Sequence, residues 1–208
     1  DLKIFSRYNT NARIVFTGSI HEVGFNRGRI PNNFESMQPR NIYGISKKLV
    51  YDSMHIMQSN SLKHVSFCWV RLANVYGVGD HSKKILSNII DGAYKNKRIV
   101  FKNINAFVDF FYIDDAATGI LLAMFSDCEG VVNLGSGYGY YLSNIQDFIQ
   151  SYLQKTTDDT KIKIRTHLDS TFGSVLDISR ASVELNYKSS ISMEVGLSKC
   201  VEFLRHKL

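Results

Sequence analysis

Pro39-Arg-Asn-Ile-Tyr43-Gly-Ile-Ser-Lys47-Lys-Leu-Val-Tyr-Asp52 is the stretch on which the reading of this chain turns. It opens a helix expected from about Asn41 to Ser59, with Asn60 as its stop. Ile42, Ile45, Leu49, Met54 and Met57 mark its expected inner side. Tyr43 and Lys47 lie four residues apart, so on a helix they share one face and put a phenol beside a cation. A free tyrosine titrates near ~10, and bringing a phenol to about 7 takes roughly 4 kcal/mol. A unit charge ~4 Å away at an effective dielectric of ~20 supplies about that much. A Tyr-x-x-x-Lys pair can thus present a phenolate as a general base near neutral pH. The same spacing also occurs in helices with a half-buried tyrosine and a solvated lysine, so the surroundings decide.

Upstream, Arg13-Ile-Val-Phe-Thr17 is a short apolar, β-branched run, as expected of a buried parallel strand. It ends in Gly18-Ser19, which puts a hydroxyl at the strand's C-terminal end, the edge where open α/β sheets bind ligands. A serine there is also an ordinary turn residue. His21, Glu22 and Gly24 follow in a loop that stays irregular to Gln38, and Asp1 to Tyr8 reads as the end of an earlier helix.

Downstream, Val65 to Leu72 is the next buried strand, feeding the glycine-bearing loop Ala73-Asn74-Val75-Tyr76-Gly77-Val78-Gly79-Asp80. Lys84 to Lys95 reads as a helix, Arg98 to Phe101 as a short strand, and Val108 to Ile113 as extended. Asp114 or Asp115 is expected to cap a helix over Ala116 to Phe125, and Ser143 one over Asn144 to Leu153. Gly130 to Leu134 is a strand closed by Gly135-Ser-Gly137, and Lys161 to Arg165 a weak one. Asp177 to Glu184 and Met193 to Lys207 are expected helices. Strands alternating with helices indicate an α/β fold with a parallel sheet.

Composition narrows the field. The chain has 208 residues, 44% hydrophobic and 21% charged, as in a globular protein of one large domain or two lobes. No apolar run reaches the ~20 residues of a membrane span, and a cytoplasmic location is expected. Cys68, Cys128 and Cys200 match no metal spacing, so no metal is expected and they read as buried thiols in a reducing compartment. The net charge of +6 is spread along the chain. Nucleic acid is not an expected partner, because no basic stripe carries interleaved aromatics. A small anion such as a nucleotide diphosphate suits the charge equally well.

Five motifs fall in one order: Ser19 with Gly24; Tyr43-Gly-Ile-Ser-Lys47; Val70-Arg-Leu-Ala-Asn74-Val-Tyr-Gly77; Asp109-Phe-Phe-Tyr-Ile-Asp-Asp115; and Val132-Asn-Leu-Gly-Ser-Gly137. This series resembles the extended short-chain dehydrogenase/reductases, the NAD-dependent epimerase/dehydratase group that acts on nucleotide sugars. The resemblance implies a Rossmann-like parallel sheet over residues 1–77 and 107–134. It also implies a smaller mixed α/β substrate lobe over 78–106 and 135–208. It implies NAD or NADP as cofactor, a nucleotide-sugar substrate, and a homodimer formed through the Tyr-Lys helix. Tyr43 would exchange the sugar hydroxyl proton, and Ser19 would bond the same oxygen. Lys47 would hold the nicotinamide ribose hydroxyls and favour the phenolate. Ala73 would pack near the nicotinamide, and Asn74 would contact the substrate's diphosphate side unless it satisfies its own loop backbone.

The pattern also departs from the family. The family's Gly-rich first turn, which cradles the pyrophosphate, has no counterpart here. The stretch therefore reads as a C-terminal portion with the N-terminal strands missing and a sheet edge left open. Val108 stands where the family often has a phosphate-pairing arginine. Ile20 and His21 replace the Asp-Glu pair of the 4,6-dehydratases, which disfavours that elimination. His21 sits where some epimerase-reductases place a second acid/base group, and a solvent-facing loop histidine is the plain alternative. The expected activity is that of an epimerase or ketoreductase. The alternatives are a non-catalytic remnant or interaction domain of the same fold and, from charge alone, a nucleic-acid-associated member.

Overall fold

A computed structural model describes residues 12–24, 28–33, 37–60, 62–63, 65–80, 84–95, 97, 99–100, 107–154, 166–167 and 173–205. The expected helix end before Tyr8 and the expected strand Lys161 to Arg165 lie outside the described residues. So do Arg98 and Phe101, and between them Ile99 and Val100 are irregular.

In chain order the strands are β1 (Arg13–Ser19), β2 (Gly28–Ile30), β3 (Ser66–Leu72), β4 (Asn74–Tyr76), β5 (Phe107–Val108), β6 (Phe110–Tyr112), β7 (Gly130–Leu134), β8 (Gly139–Tyr141), β9 (Thr166–His167) and β10 (Gly173–Leu176). The α-helices are α1 (Ile42–Asn60), α2 (Ile85–Tyr94), α3 (Ile113–Met124), α4 (Leu142–Gln154), α5 (Ser179–Glu184) and α6 (Met193–Arg205), and a 3-10 turn covers Ile20–Val23. The central sheet is parallel, in the order β1-β3-β7. A second, mixed sheet runs β2-β10-β5-β8-β9, and β4 pairs with β6 in parallel.

β3 lies between two cores, and its alternation follows from the pleat. Phe67 and Trp69 face Tyr51 and Met54 of α1, while Cys68 and Val70 face Ala116 and Ala123 of α3. A third core joins Leu86 and Ile89 of α2, Ile145 and Ile149 of α4, and Leu197 and Val201 of α6. Helices thus cover both faces of the parallel sheet, the Rossmann-like arrangement of an α/β fold. Residues 176–187 contribute Leu176, Ala181, Leu185 and Tyr187 to the core of the central sheet.

Three local expectations need correction. Of the expected inner side of α1, Met54 and Met57 do pack against the sheet, but Ile42, Ile45 and Leu49 are 86%, 45% and 59% exposed, and Gly44 and Tyr51 are buried in their place. α3 starts at Ile113, so Asp114 and Asp115 sit in its first turn, where their charge favours the helix N-terminus without a side-chain cap. Asp115 reaches across to accept from Ser189 Oγ, Ser190 N–H and Oγ, and Ile191 N–H, tying the chain before α6 to α3. Likewise Ser143 lies inside the first turn of α4 rather than at its cap.

The chain leaves the central sheet at Ala73, between β3 and β4. The Ala73 N–H still bonds Leu134 O at 2.8 Å, whereas Asn74 N–H bonds Asp109 O at 3.0 Å. That change of partner opens a space beyond the C-terminal ends of β1 and β3.

Candidate active site

The space is a cleft of about 370 Å³ whose walls include Ser19, His21, Tyr43, Ala73, Asn74 and Lys84. Ser19 ends β1 and is buried. Its N–H donates to Glu22 Oε1 at 2.6 Å, and its Oγ accepts from His21 N–H at 3.3 Å, closing a reciprocal cap on the 3-10 turn. Glu22 is fully buried and also accepts from Trp69 Nε1–H at 3.0 Å and Arg71 Nε–H at 3.4 Å. Arg71, equally buried, donates onward to Pro31 O, Asn133 Oδ1 and Asn33 O at 3.3, 3.3 and 3.0 Å. Burial pushes the Glu22 carboxyl up, against the opposing pull of Trp69, Ser19 and Arg71. Burial likewise draws the Arg71 guanidinium down, and Glu22 opposes this. A Cβ on Gly18 would stand 2.2 Å from Trp69 Nε1 and 2.6 Å from Glu22 Oε1, so glycine at that position gives the network its room.

Tyr43 lies in the first turn of α1, 52% exposed, with its ring edge-on to His21 at 5.7 Å. Lys47 Nζ is 5.8 Å from the centroid of the Tyr43 ring and donates to Thr17 O at 2.8 Å. The ammonium is thereby held on β1 beside the phenol, on the helix face the spacing predicted, but it is not part of the cleft wall. A Cβ on Gly44 would meet His21 O at 2.2 Å, so the Tyr43-Gly44 step lets the start of α1 lie against the 3-10 turn. Asn41 secures the same corner. Its Oδ1 accepts from Gly44 N–H at 2.7 Å, and its Nδ2 is 3.3 Å from Nδ1 of the exposed His21.

Ala73 is buried against the cleft floor. Asn74 lines the cleft, and its Nδ2–H donates to Asp109 O at 3.0 Å, so local backbone satisfaction takes part of that side chain. Asp109 itself is fully buried, accepting from Ser136 N–H and Oγ–H and from Leu176 N–H. Burial pushes its carboxyl up to about 6.

Two features escaped the sequence reading. Glu22 and Arg71 stand 49 residues apart, and no local pattern announces their pairing. Lys84 precedes α2 in the cleft wall, bound to Asp80 Oδ1 at 2.9 Å; the four-residue Asp-Lys spacing was the available signal. Among the described residues no cluster of His, Cys, Asp and Glu could hold a metal ion, and no helix is long and apolar enough to cross a membrane.

A profile of the NAD dependent epimerase/dehydratase family matches residues 2–135. The chain is 24% identical over 180 residues to dTDP-4-dehydro-6-deoxyglucose reductase of Escherichia coli, covering 83% of this chain and 55% of that protein. It is 26% identical over 136 residues to ADP-L-glycero-D-manno-heptose-6-epimerase of Fusobacterium nucleatum, covering 58% of this chain and 40% of that one. The chain thus spans about half the length of these curated relatives. Among solved structures, UDP-glucuronic acid 4-epimerase from Bacillus cereus in complex with NAD superposes with a TM-score of 0.81 at 18% identity, over 99% of this chain and 64% of that one. UDP-glucose 4-epimerase from Thermotoga maritima gives 0.78 at 21% identity, over 99% and 67%. With its parallel sheet and more than half its length under the family profile, this chain belongs to the NAD-dependent epimerase/dehydratase family.

Proposed function

We propose that this protein acts as an NAD(P)-dependent epimerase or ketoreductase on a nucleotide sugar, with Ser19, Tyr43 and Lys47 as its reacting site. The observation that carries this reading is that Ser19 and Tyr43 line one cleft while Lys47 is held beside the Tyr43 ring. The names of the relatives, two of them nucleotide-sugar 4-epimerases and one a 4-dehydro-sugar reductase, support the same class.

In the oxidative direction the Tyr43 phenolate takes the proton of a sugar hydroxyl while Ser19 Oγ–H bonds the same oxygen. In the reductive direction Tyr43 returns that proton to the carbonyl oxygen. Bound nicotinamide, as NAD or NADP, would supply the hydride acceptor or donor. The donor set fits it: Lys47 Nζ keeps two N–H groups after bonding Thr17 O, enough for the ribose hydroxyls, and Ala73 presents only a methyl group. His21, edge-on to Tyr43, is placed to handle a second proton where epimerisation passes beside a carbonyl.

The lobe of residues 78–106 and 135–208 would hold the nucleotide, with Asn74 and the Lys84 ammonium facing its diphosphate. Outward Ile42, Ile45, Leu49 and Ile56 of α1 give an apolar face on which a second copy would pack to form a homodimer. The test is to incubate the full-length protein with NAD or NADP and a panel of nucleotide sugars and their 4-keto forms. Cofactor-dependent reduction or inversion at a sugar carbon is the expected result. Inertness toward every member with both cofactors contradicts the reading.

A further inference from the structure

We propose that Asn41 is a positioning residue that sets the tautomer of His21, so that the neutral ring carries its proton on Nε2 and meets the cleft as a hydrogen-bond donor to a substrate oxygen. The tautomer belongs to the free protein; the use made of it rests on the cleft being the site proposed above.

Asn41 stands immediately before α1 and caps it. Its Oδ1 accepts from Gly44 N–H at 2.7 Å, the bond that an N-cap side chain makes to the third residue of a helix. That bond decides which way the amide faces. Turned over, the Asn41 NH2 group would meet the Gly44 N–H donor against donor. The NH2 group therefore lies on the other side, where Nδ2 is 3.3 Å from His21 Nδ1. An amide nitrogen only donates, so Nδ1 accepts, and a ring nitrogen that accepts carries no proton. A neutral imidazole has one N–H, and here it is left on Nε2.

The ring is held where this matters. His21 N–H donates to Ser19 Oγ at 3.3 Å, its carbonyl oxygen lies against Gly44, and its ring stands edge-on to Tyr43 with centroids 5.7 Å apart. His21 lines the cleft with Ser19 and Tyr43, and with Nδ1 turned to Asn41 the nitrogen left for a ligand is Nε2. The proton that His21 handles is thus one that it holds and presents to oxygen, such as the carbonyl oxygen beside an acidic carbon. It is not one that the ring draws from carbon. A base at this position needs a bare Nε2, and hence a proton on Nδ1 directed at the Asn41 NH2 group.

The test reads the ring directly in the full-length protein. Long-range proton–nitrogen NMR correlations of isotope-labelled histidine tell a protonated ring nitrogen from a bare one. They are recorded without ligand at mildly alkaline pH, where an ordinary histidine is neutral. The His21 signals are those lost in His21→Gln. The expected pattern is a bare Nδ1 and a protonated Nε2. Asn41→Asp keeps an oxygen for Gly44 N–H and caps a helix equally well, but puts an acceptor where the NH2 group stood. It should invert the pattern to Nδ1–H. In the assay on nucleotide sugars it should lower kcat about tenfold or more with cofactor affinity unchanged. Asn41→Ser, a shorter cap, should give a mixture of both tautomers, and it serves if the added carboxylate disturbs the fold. An Asn41 that only caps the helix predicts the parent ring pattern and parent turnover in Asn41→Asp. That result overturns the proposal, as does a proton on Nδ1 in the parent. An inverted pattern with unchanged turnover overturns the donor role. The ring pattern needs no substrate, so its failure is distinct from inertness of the parent protein, which contradicts the proposed function instead.

Discussion

Ser19 and Tyr43 reach the same cleft by opposite means. Ser19 is buried, and its backbone is bolted to Glu22, which Trp69 and Arg71 hold in turn with no side-chain exposure of either ionic partner. Tyr43 stands half exposed at the start of an outward-facing helix, located by the Gly44 contact and by Lys47. The strand end is fixed by buried charge, and the helix face by backbone fit. Substitutions on the first side should cost folding most, whereas those on the second should cost folding less and chemistry more.

The largest expected effect is at Glu22. Glu22→Ala leaves Arg71 buried without its carboxylate and should lower stability by about 3–5 kcal/mol, read by urea unfolding. A loss below about 1 kcal/mol would mean that the strand end is not held this way. Asp109 extends the same test to pH. Its carboxyl titrates at about 6 when folded, above the ~3.9 of an unfolded aspartate. Between those values the native state holds more protons than the unfolded chain. The site's contribution is therefore full below about pH 4 and falls by roughly 3 kcal/mol as pH rises to about 6. Asp109→Asn should flatten that slope in unfolding curves measured from pH 4 to 7.

Effects at the helix face are smaller. Gly44→Ala must displace either α1 or His21 O and should cost about 1–3 kcal/mol in thermal unfolding. Tyr43→Phe removes one hydroxyl from a half-exposed ring and should change stability by less than about 0.5 kcal/mol.

The same contrast explains what was legible in the sequence. Short apolar runs gave β3 and β7 almost residue for residue, because a buried parallel strand must be apolar on both faces. Tyr43 and Lys47 share a helix face because four-residue spacing requires it. The inner side of α1 was read correctly at Met54 and Met57 and misread in the first two turns for a physical reason. That helix carries two apolar faces, and periodicity finds apolar positions without saying which set meets this sheet. Ile42, Ile45 and Leu49 form the outward set, and Gly44, Tyr51 and Met54 the inward one. Glu22 and Arg71 were illegible because their pairing depends on β1 and β3 becoming neighbours, which is a property of the fold.

The most direct measurement of the central claim is turnover of the Tyr43→Phe variant of the full-length protein, beside its cofactor titration. If Tyr43 moves the sugar proton, turnover falls by about 10²-fold or more while cofactor affinity stays near that of the parent. Turnover retained within a few-fold would contradict the assignment of this tyrosine, and with it the proposed reacting site.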